Sequence, residues 1–344
     1  MTKKKYFRFQ LLLFIILVDF CGFAQDPIEG VNVPNPLKKI ESSFYPNPKS
    51  PIKSFFYIVD KDTVSKTDYD LKGNEIVKLY YEGNKLRSKV INKFIGALKT
   101  EVLYYTKDVL QSKTTYKYDS NNNLVEWKVL NYTYDKNSST PKAVVDNHSF
   151  LEYNKNNKIV KMFMVNSQNV KVLYYENIYD SLNNLIENIK YQWKEKFEYE
   201  NDLLIRQSKI FNNDNTPYSY ADYKYNDMKL LIESDDNYYK SRFTYDSIKL
   251  IKVNYIYKND NSIQDIDLIY NNDLLTKVLI NTSSLYSKPE FHFKTDHLAF
   301  FWKKNELNKL QMEFLYDKYN NIVEIKYFIR DIYKYSKFFI YTYY

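Results

Sequence analysis

Residues 314–330 read Phe314-Leu-Tyr-Asp-Lys-Tyr-Asn-Asn-Ile-Val-Glu-Ile-Lys-Tyr-Phe-Ile-Arg330. Val323, Ile325, Tyr327 and Ile329 alternate with Glu324, Lys326, Phe328 and Arg330. That is the period of a strand with one buried and one wet face. Just ahead, Tyr316-Asp317 opens a short polar group closed by Asn320-Asn321. Asp bonds turn amides, and Asn tolerates a positive φ. The stretch predicts a β-hairpin.

The same pattern recurs along the chain. Ile251, Val253, Tyr255 and Tyr257 alternate with Lys252, Asn254 and Ile256. Leu185, Ile189, Tyr191 and Trp193 share one parity, while Asn188, Lys190, Gln192 and Lys194 share the other. A long form of the turn runs Tyr-Asp/Asn-x-x-Gly/Asn-polar-x-Ile/Val, at Tyr69–Ile76, Tyr118–Val125, Tyr153–Val160, Tyr179–Ile186 and Tyr316–Val323. A short form sets Leu five residues after Tyr, from Tyr81, Tyr105, Tyr199, Tyr225, Tyr245 and Tyr270. The aromatic ends one strand and the aliphatic begins the next, so the two can pack as neighbours across a hairpin. The positions expected to carry the repeat are Tyr69-Asp70, Tyr118-Asp119, Tyr153, Tyr179-Asp180, Tyr199, Tyr225, Tyr245-Asp246, Tyr270 and Tyr316-Asp317. No segment shows a helical stripe.

Tyr69-Asp-Leu-Lys-Gly-Asn, Tyr179-Asp-Ser-Leu-Asn-Asn-Leu and Phe314-Leu-Tyr-Asp-Lys-Tyr-Asn-Asn-Ile resemble the YD repeats of bacterial Rhs proteins and teneurins. The resemblance spans roughly residues 66 to 328. It implies hairpins joined into one long sheet, which in that family spirals into a shell. Asn replaces most of the turn glycines here, the chain is short, and neither an autoproteolytic core motif nor a toxin domain is visible. The expected fold is therefore all-β: a long antiparallel meander of 18–20 strands in one curved, twisted sheet, open or partly rolled.

Residues 1–24 read as a signal peptide: a basic start through Arg8, an apolar run from Leu11 to Val18, and small residues at Gly22 and Ala24. The alternative, a lipoprotein signal at the single cysteine Cys21, lacks a small residue at Phe20. The segment carries +3, leaving +5 of the formal +8 on the exported chain. Six of nine prolines fall between Pro27 and Pro51, so residues 25–52 are expected to form an extended leader and 53–344 the sheet domain. Without cysteine the exported chain forms no disulfide, and without clustered Lys/Arg it offers no nucleic-acid face. Five glycines in 344 residues exclude a glycine-dependent phosphate loop. Aromatic residues make up 18% of the chain, far from a disordered composition.

Candidate chemistry is sparse. His292, Asp296 and His297 would straddle the two faces of a strand, which suits no metal. Asp265 and Asp267 share a strand face, as paired catalytic carboxylates must share a cleft, but any wet strand alternates in this way. The reading is an exported non-enzymatic surface or periplasmic binding or scaffold protein with no cofactor. An extended polysaccharide or a protein is the expected partner, with Tyr on a sheet face as the stacking element. The alternative is an outer-membrane β-barrel, consistent with the export signal and the alternation. No transmembrane helix is expected.

Overall fold

The computed structural model describes residues 52–59, 62–134, 141–212, 216–259, 261–282 and 309–343. They form 22 strands in chain order. The first eight are β1 (Ile52–Val59), β2 (Asp62–Tyr69), β3 (Glu75–Glu82), β4 (Lys85–Ile95), β5 (Leu98–Thr106), β6 (Val109–Tyr118), β7 (Leu124–Thr133) and β8 (Lys142–Tyr153). Next come β9 (Ile159–Val165), β10 (Lys171–Tyr179), β11 (Leu185–Lys190), β12 (Trp193–Glu200), β13 (Leu203–Phe211), β14 (Ser219–Tyr225) and β15 (Leu231–Asp236). The last are β16 (Tyr239–Asp246), β17 (Lys249–Tyr257), β18 (Ile263–Asn271), β19 (Leu274–Thr282), β20 (Lys309–Tyr316), β21 (Ile322–Ile329) and β22 (Ile332–Tyr343). The signal segment, the prolines of the leader, His292 and His297 lie outside the described residues.

Every strand pairs antiparallel with its sequence neighbours, as a meander requires. The sheet is not open or partly rolled. β1 pairs with β22 from Ile52↔Tyr343 to Val59↔Lys337, which closes the ring of 22 strands into a barrel. Closure leaves no exposed edge and so removes the liability an open meander would carry.

Pairing sorts the side chains into two faces. Val253, Ile266, Ile280 and Leu310 lie side by side across β17–β20, as do Leu268, Val278, Met312, Tyr327 and Tyr335 across β18–β22. Ile266, Val278 and Met312 are 0% exposed. A closed sheet has one enclosed face, so this buried face points inward. Around β12–β22 and β1 it is a continuous apolar core with Phe197, Tyr223, Phe243 and Phe314. Around β2–β11 many of the buried inward positions are small and polar: Ser65, Thr67, Ser88, Asn92, Thr114, Ser149, Asn177 and Asn188.

Part of the excess over 18–20 strands has a local reason. The stretch from Leu185 to Lys194, read as one alternating run, is two strands with a reversal at Tyr191-Gln192. A bulge also breaks its parity, because Ile178 pairs with Glu187 while Tyr179 pairs with Leu185, leaving Ile186 unpaired. Leu185 is therefore inward, Glu187 outward, and Glu195 inward beside Lys209 at 3.1 Å.

Candidate functional site

Nine of the repeat tyrosines gather at one rim: Tyr69, Tyr118, Tyr153, Tyr179, Tyr199, Tyr225, Tyr245, Tyr270 and Tyr316 are each the last or last but one residue of an even-numbered strand. At each of them the register slips by one residue, so the bulge belongs to the repeat. Tyr81 and Tyr105 are last but one in β3 and β5 instead, which puts them at the opposite rim.

The phenol groups make a ladder the sequence did not disclose. Tyr118 donates to the carbonyl of Lys99 at 2.7 Å, Tyr153 to Leu124 at 2.8 Å and Tyr179 to Ile159 at 2.9 Å. Tyr225 donates to Leu204, Tyr245 to Leu231, Tyr270 to Leu250, Tyr316 to Leu275 and Tyr341 to Ile322, all within 3.0 Å. In each case the acceptor is one of the first two residues of the strand before the one that carries the tyrosine. Burial pushes Tyr153, Tyr199, Tyr225, Tyr245 and Tyr316 up to about 12, because a phenolate would be desolvated there.

The long turns share one geometry. In the Tyr69 unit, the Asp70 amide donates to the Asn74 carbonyl, and the Gly73 amide to the Asp70 carbonyl. The Asp70 carboxylate accepts from the amides of Lys72 and Asn74 and from the Asn74 side chain. Those bonds, the Asn74 side chain first, hold the Asp70 carboxyl below its ordinary range. Asp119, Asn154, Asp180, Asn226 and Asp317 repeat the turn. Gly73, Asn122, Asn157, Asn183, Lys229 and Asn320 take its left-handed position. Asn166 makes the same turn at the opposite rim without a preceding tyrosine, so the Tyr signal missed it.

Two spacings need correction. In the long form the residue opposite Tyr is the sixth, as with Tyr118↔Leu124 and Tyr179↔Leu185, not the Ile or Val at the seventh, which is the bulge residue. Tyr225 was expected in the short class with Leu230, yet it pairs with Leu231 through a long turn. Asp246 is exposed opposite Lys249 and organises no such turn.

The outer face carries many ion pairs among exposed aliphatics such as Ile178, Ile269, Leu315 and Ile340. Glu101 pairs with Lys93 at 2.5 Å and with Lys113; Glu126 pairs with Lys117 and His148; Glu233 pairs with Lys224 and Lys240 at 2.8 and 2.9 Å. Arg206–Asp222, Lys161–Glu176 and Lys277–Glu313 continue the girdle. Its lysines draw the Glu233 carboxyl down to about 2, the Lys224 hydrogen bond first. Asp265 and Asp267 stand on this face, the first bonded to the Asn254 side chain and the second to Lys252 at 3.6 Å. They are members of cross-strand pairs, Asp265 opposite Asn254 and Asp267 opposite Lys252. Among the described residues no three His, Cys, Asp or Glu side chains gather as a metal site, and no helix is long and apolar enough to cross a membrane.

The Tyr220 ring stands on the outer sheet face at 43% exposure. Inward rings are buried or half-buried, and the most exposed ones sit at the rim opposite the tyrosine ladder. There Tyr191 is 91% and Tyr238 67% exposed. Phe211 and Tyr218 stack nearly flat with centroids 4.4 Å apart.

No family model matches the chain, and no curated protein does. A chain in the crystal structure of TcdB2-TccC3-Cdc42 is similar at 8% identity and a TM-score of 0.32. The likeness covers 88% of this chain and only 17% of that one. A porin-like protein from Bacteroides uniformis is similar at 7% identity over 86% of this chain and 98% of its own, with a TM-score of 0.26. Its counterpart from Bacteroides vulgatus gives 8%, 85%, 99% and 0.23. Scores this low do not equate the folds.

Proposed function

We propose that this chain is an exported, non-enzymatic binding or scaffold protein of the periplasm or cell surface, built as a closed β-barrel that meets water on its outside. The observation that carries this is the ion-pair girdle of the outer face, from Lys93–Glu101–Lys113 to Lys277–Glu313. A lipid-facing barrel needs an apolar belt outside and admits polar groups within. Around β12–β22 this barrel has the reverse polarity, with Ile266, Val278 and Met312 fully buried inside. Side chains without any exposure cannot line an open water channel. The tyrosine-headed hairpins support kinship with YD repeats.

The closed ring of 22 strands favours a second reading, the outer-membrane barrel. The two separate in a simple preparation. The chain produced without residues 1–24 and purified without detergent should be monodisperse by light scattering. A requirement for detergent micelles to stay in solution would establish the membrane barrel instead.

A further inference from the structure

We infer that the rim opposite the tyrosine ladder carries a binding shelf for an extended β-linked polysaccharide. The inference rests on the binding-protein reading above and gives it a place and a ligand class.

The shelf consists of three successive reversals. Tyr191 sits between β11 and β12, the Phe211–Tyr218 pair flanks the connection from β13 to β14, and Tyr238 sits between β15 and β16. They are fastened to one another. The Asn212 amide donates to the Gln192 carbonyl at 3.0 Å, and the Asn212 side chain donates to the carbonyls of Lys190 and Tyr191. The Asn237 side chain accepts from the Tyr220 amide and donates to the Tyr218 carbonyl. The Lys258 amide, from the next reversal, donates to the Tyr238 carbonyl at 2.9 Å. The backbone beneath these rings is held by neighbouring reversals, and the Phe211 and Tyr218 rings by each other.

Among the described residues, Tyr191 and Tyr238 are the two most exposed of the large hydrophobic rings, above Tyr333 at 52% and Tyr174 at 49%. Nine repeat tyrosines at the other rim end their strands on the inner face or against neighbouring carbonyls, whereas Tyr191 and Tyr238 stand free of the core. An exposed phenol offers a flat apolar body with a polar edge, the surface that the apolar face and hydroxyl rim of a pyranose match. Charge does not favour an ionic ligand, because the nearby Lys258 is engaged by Asp235 at 2.6 Å.

Spacing selects the ligand. Rings on successive hairpins are two strand separations apart, about 9.5 Å. An extended β-linked hexose chain repeats every two sugars over nearly that length, so alternate sugars fall on successive hairpins. A coiled α-linked chain has no such match, and a single sugar spans only one ring.

Affinity electrophoresis of the whole protein tests this, in gels containing hydroxyethyl cellulose, mixed-linkage β-glucan or xylan, with dextran as the α-linked control. The expected result is retardation by at least one β-linked chain, none by dextran, and no change at high salt. Tyr191→Ala/Tyr238→Ala should reduce the retardation at least several-fold. Tyr81→Ala/Tyr105→Ala, at the same rim on other hairpins, should leave it unchanged. Circular dichroism and the urea midpoint show that both variants fold. No retardation by any β-linked chain, or equal retardation of the shelf variant, overturns the shelf. Neither result touches the detergent-free behaviour on which the broader reading stands.

Discussion

Each phenol of the ladder does two jobs: its ring covers an aliphatic neighbour inside the rim, and its hydroxyl satisfies a carbonyl one strand back. Tyr225, for example, packs against the apolar core and donates to Leu204 at 2.8 Å. The fold therefore favours the protonated phenol, with Tyr153, Tyr199, Tyr225, Tyr245 and Tyr316 pushed from 10.0 up to about 12 by burial. A raised phenol contributes fully below the unfolded value and loses its contribution as pH climbs from about 10 through about 12. Urea midpoints should be flat to pH 9 and fall steeply above 10, with phenolate absorbance of the folded protein lagging that of free tyrosine. Tyr225→Phe should cost about 1 kcal/mol at neutral pH and make the alkaline fall shallower. Titration of all the tyrosines near 10 while the protein stays folded would refute the ladder. The alternation and the Tyr positions were readable in the chain. The acceptors were not, because a carbonyl has no residue signature and its location depends on strand pairing.

At the scale of the hairpin, local chemistry decides the geometry. Asp or Asn after the tyrosine pins the turn amides, and a left-handed residue three places on lets the chain reverse, as Asn122 does at φ 65°. Two-residue turns such as Asn201-Asp202 use positive φ at both places. Replacing Asn122 by Ala should cost about 1 kcal/mol, the penalty of a β-carbon in that conformation, while Gly should cost nothing or stabilise. Urea midpoints of the two variants measure the difference, and equal losses would mean that φ is not what Asn122 supplies. This level was nearly all visible in the sequence, since Asp, Asn and Gly carry their preferences locally. Two things escaped it. The bulge opposite Tyr179 reverses parity inside a run that reads as regular alternation, and Tyr191-Gln192 reverses the chain without Gly, Pro or Asn. A period-two reading has no way to register either.

Closure belongs to the whole molecule, and no local pattern announces it. β1 and β22 meet with Ser54 and Thr342 hydrogen bonded across 288 residues of sequence. At the seam Tyr57 stacks on Phe339 with centroids 5.4 Å apart, and Phe55 on Tyr341 at 6.1 Å. Whether a meander shuts depends on its accumulated twist and strand number, which add over all 22 strands and are not written in any one of them. The open or partly rolled sheet was the natural expectation from hairpins alone. Removing residues 332–344 tests what closure does. It uncovers β1 and β21 as long edges and strips Tyr335 and Phe339 from the core. Unpaired edges of this length recruit other chains. The truncated protein should thus form oligomers that grow with concentration, seen by light scattering, and should unfold at lower urea than the intact chain. A monomer with an unchanged urea midpoint would mean that the remaining hairpins are self-sufficient and that the seam is incidental to the fold.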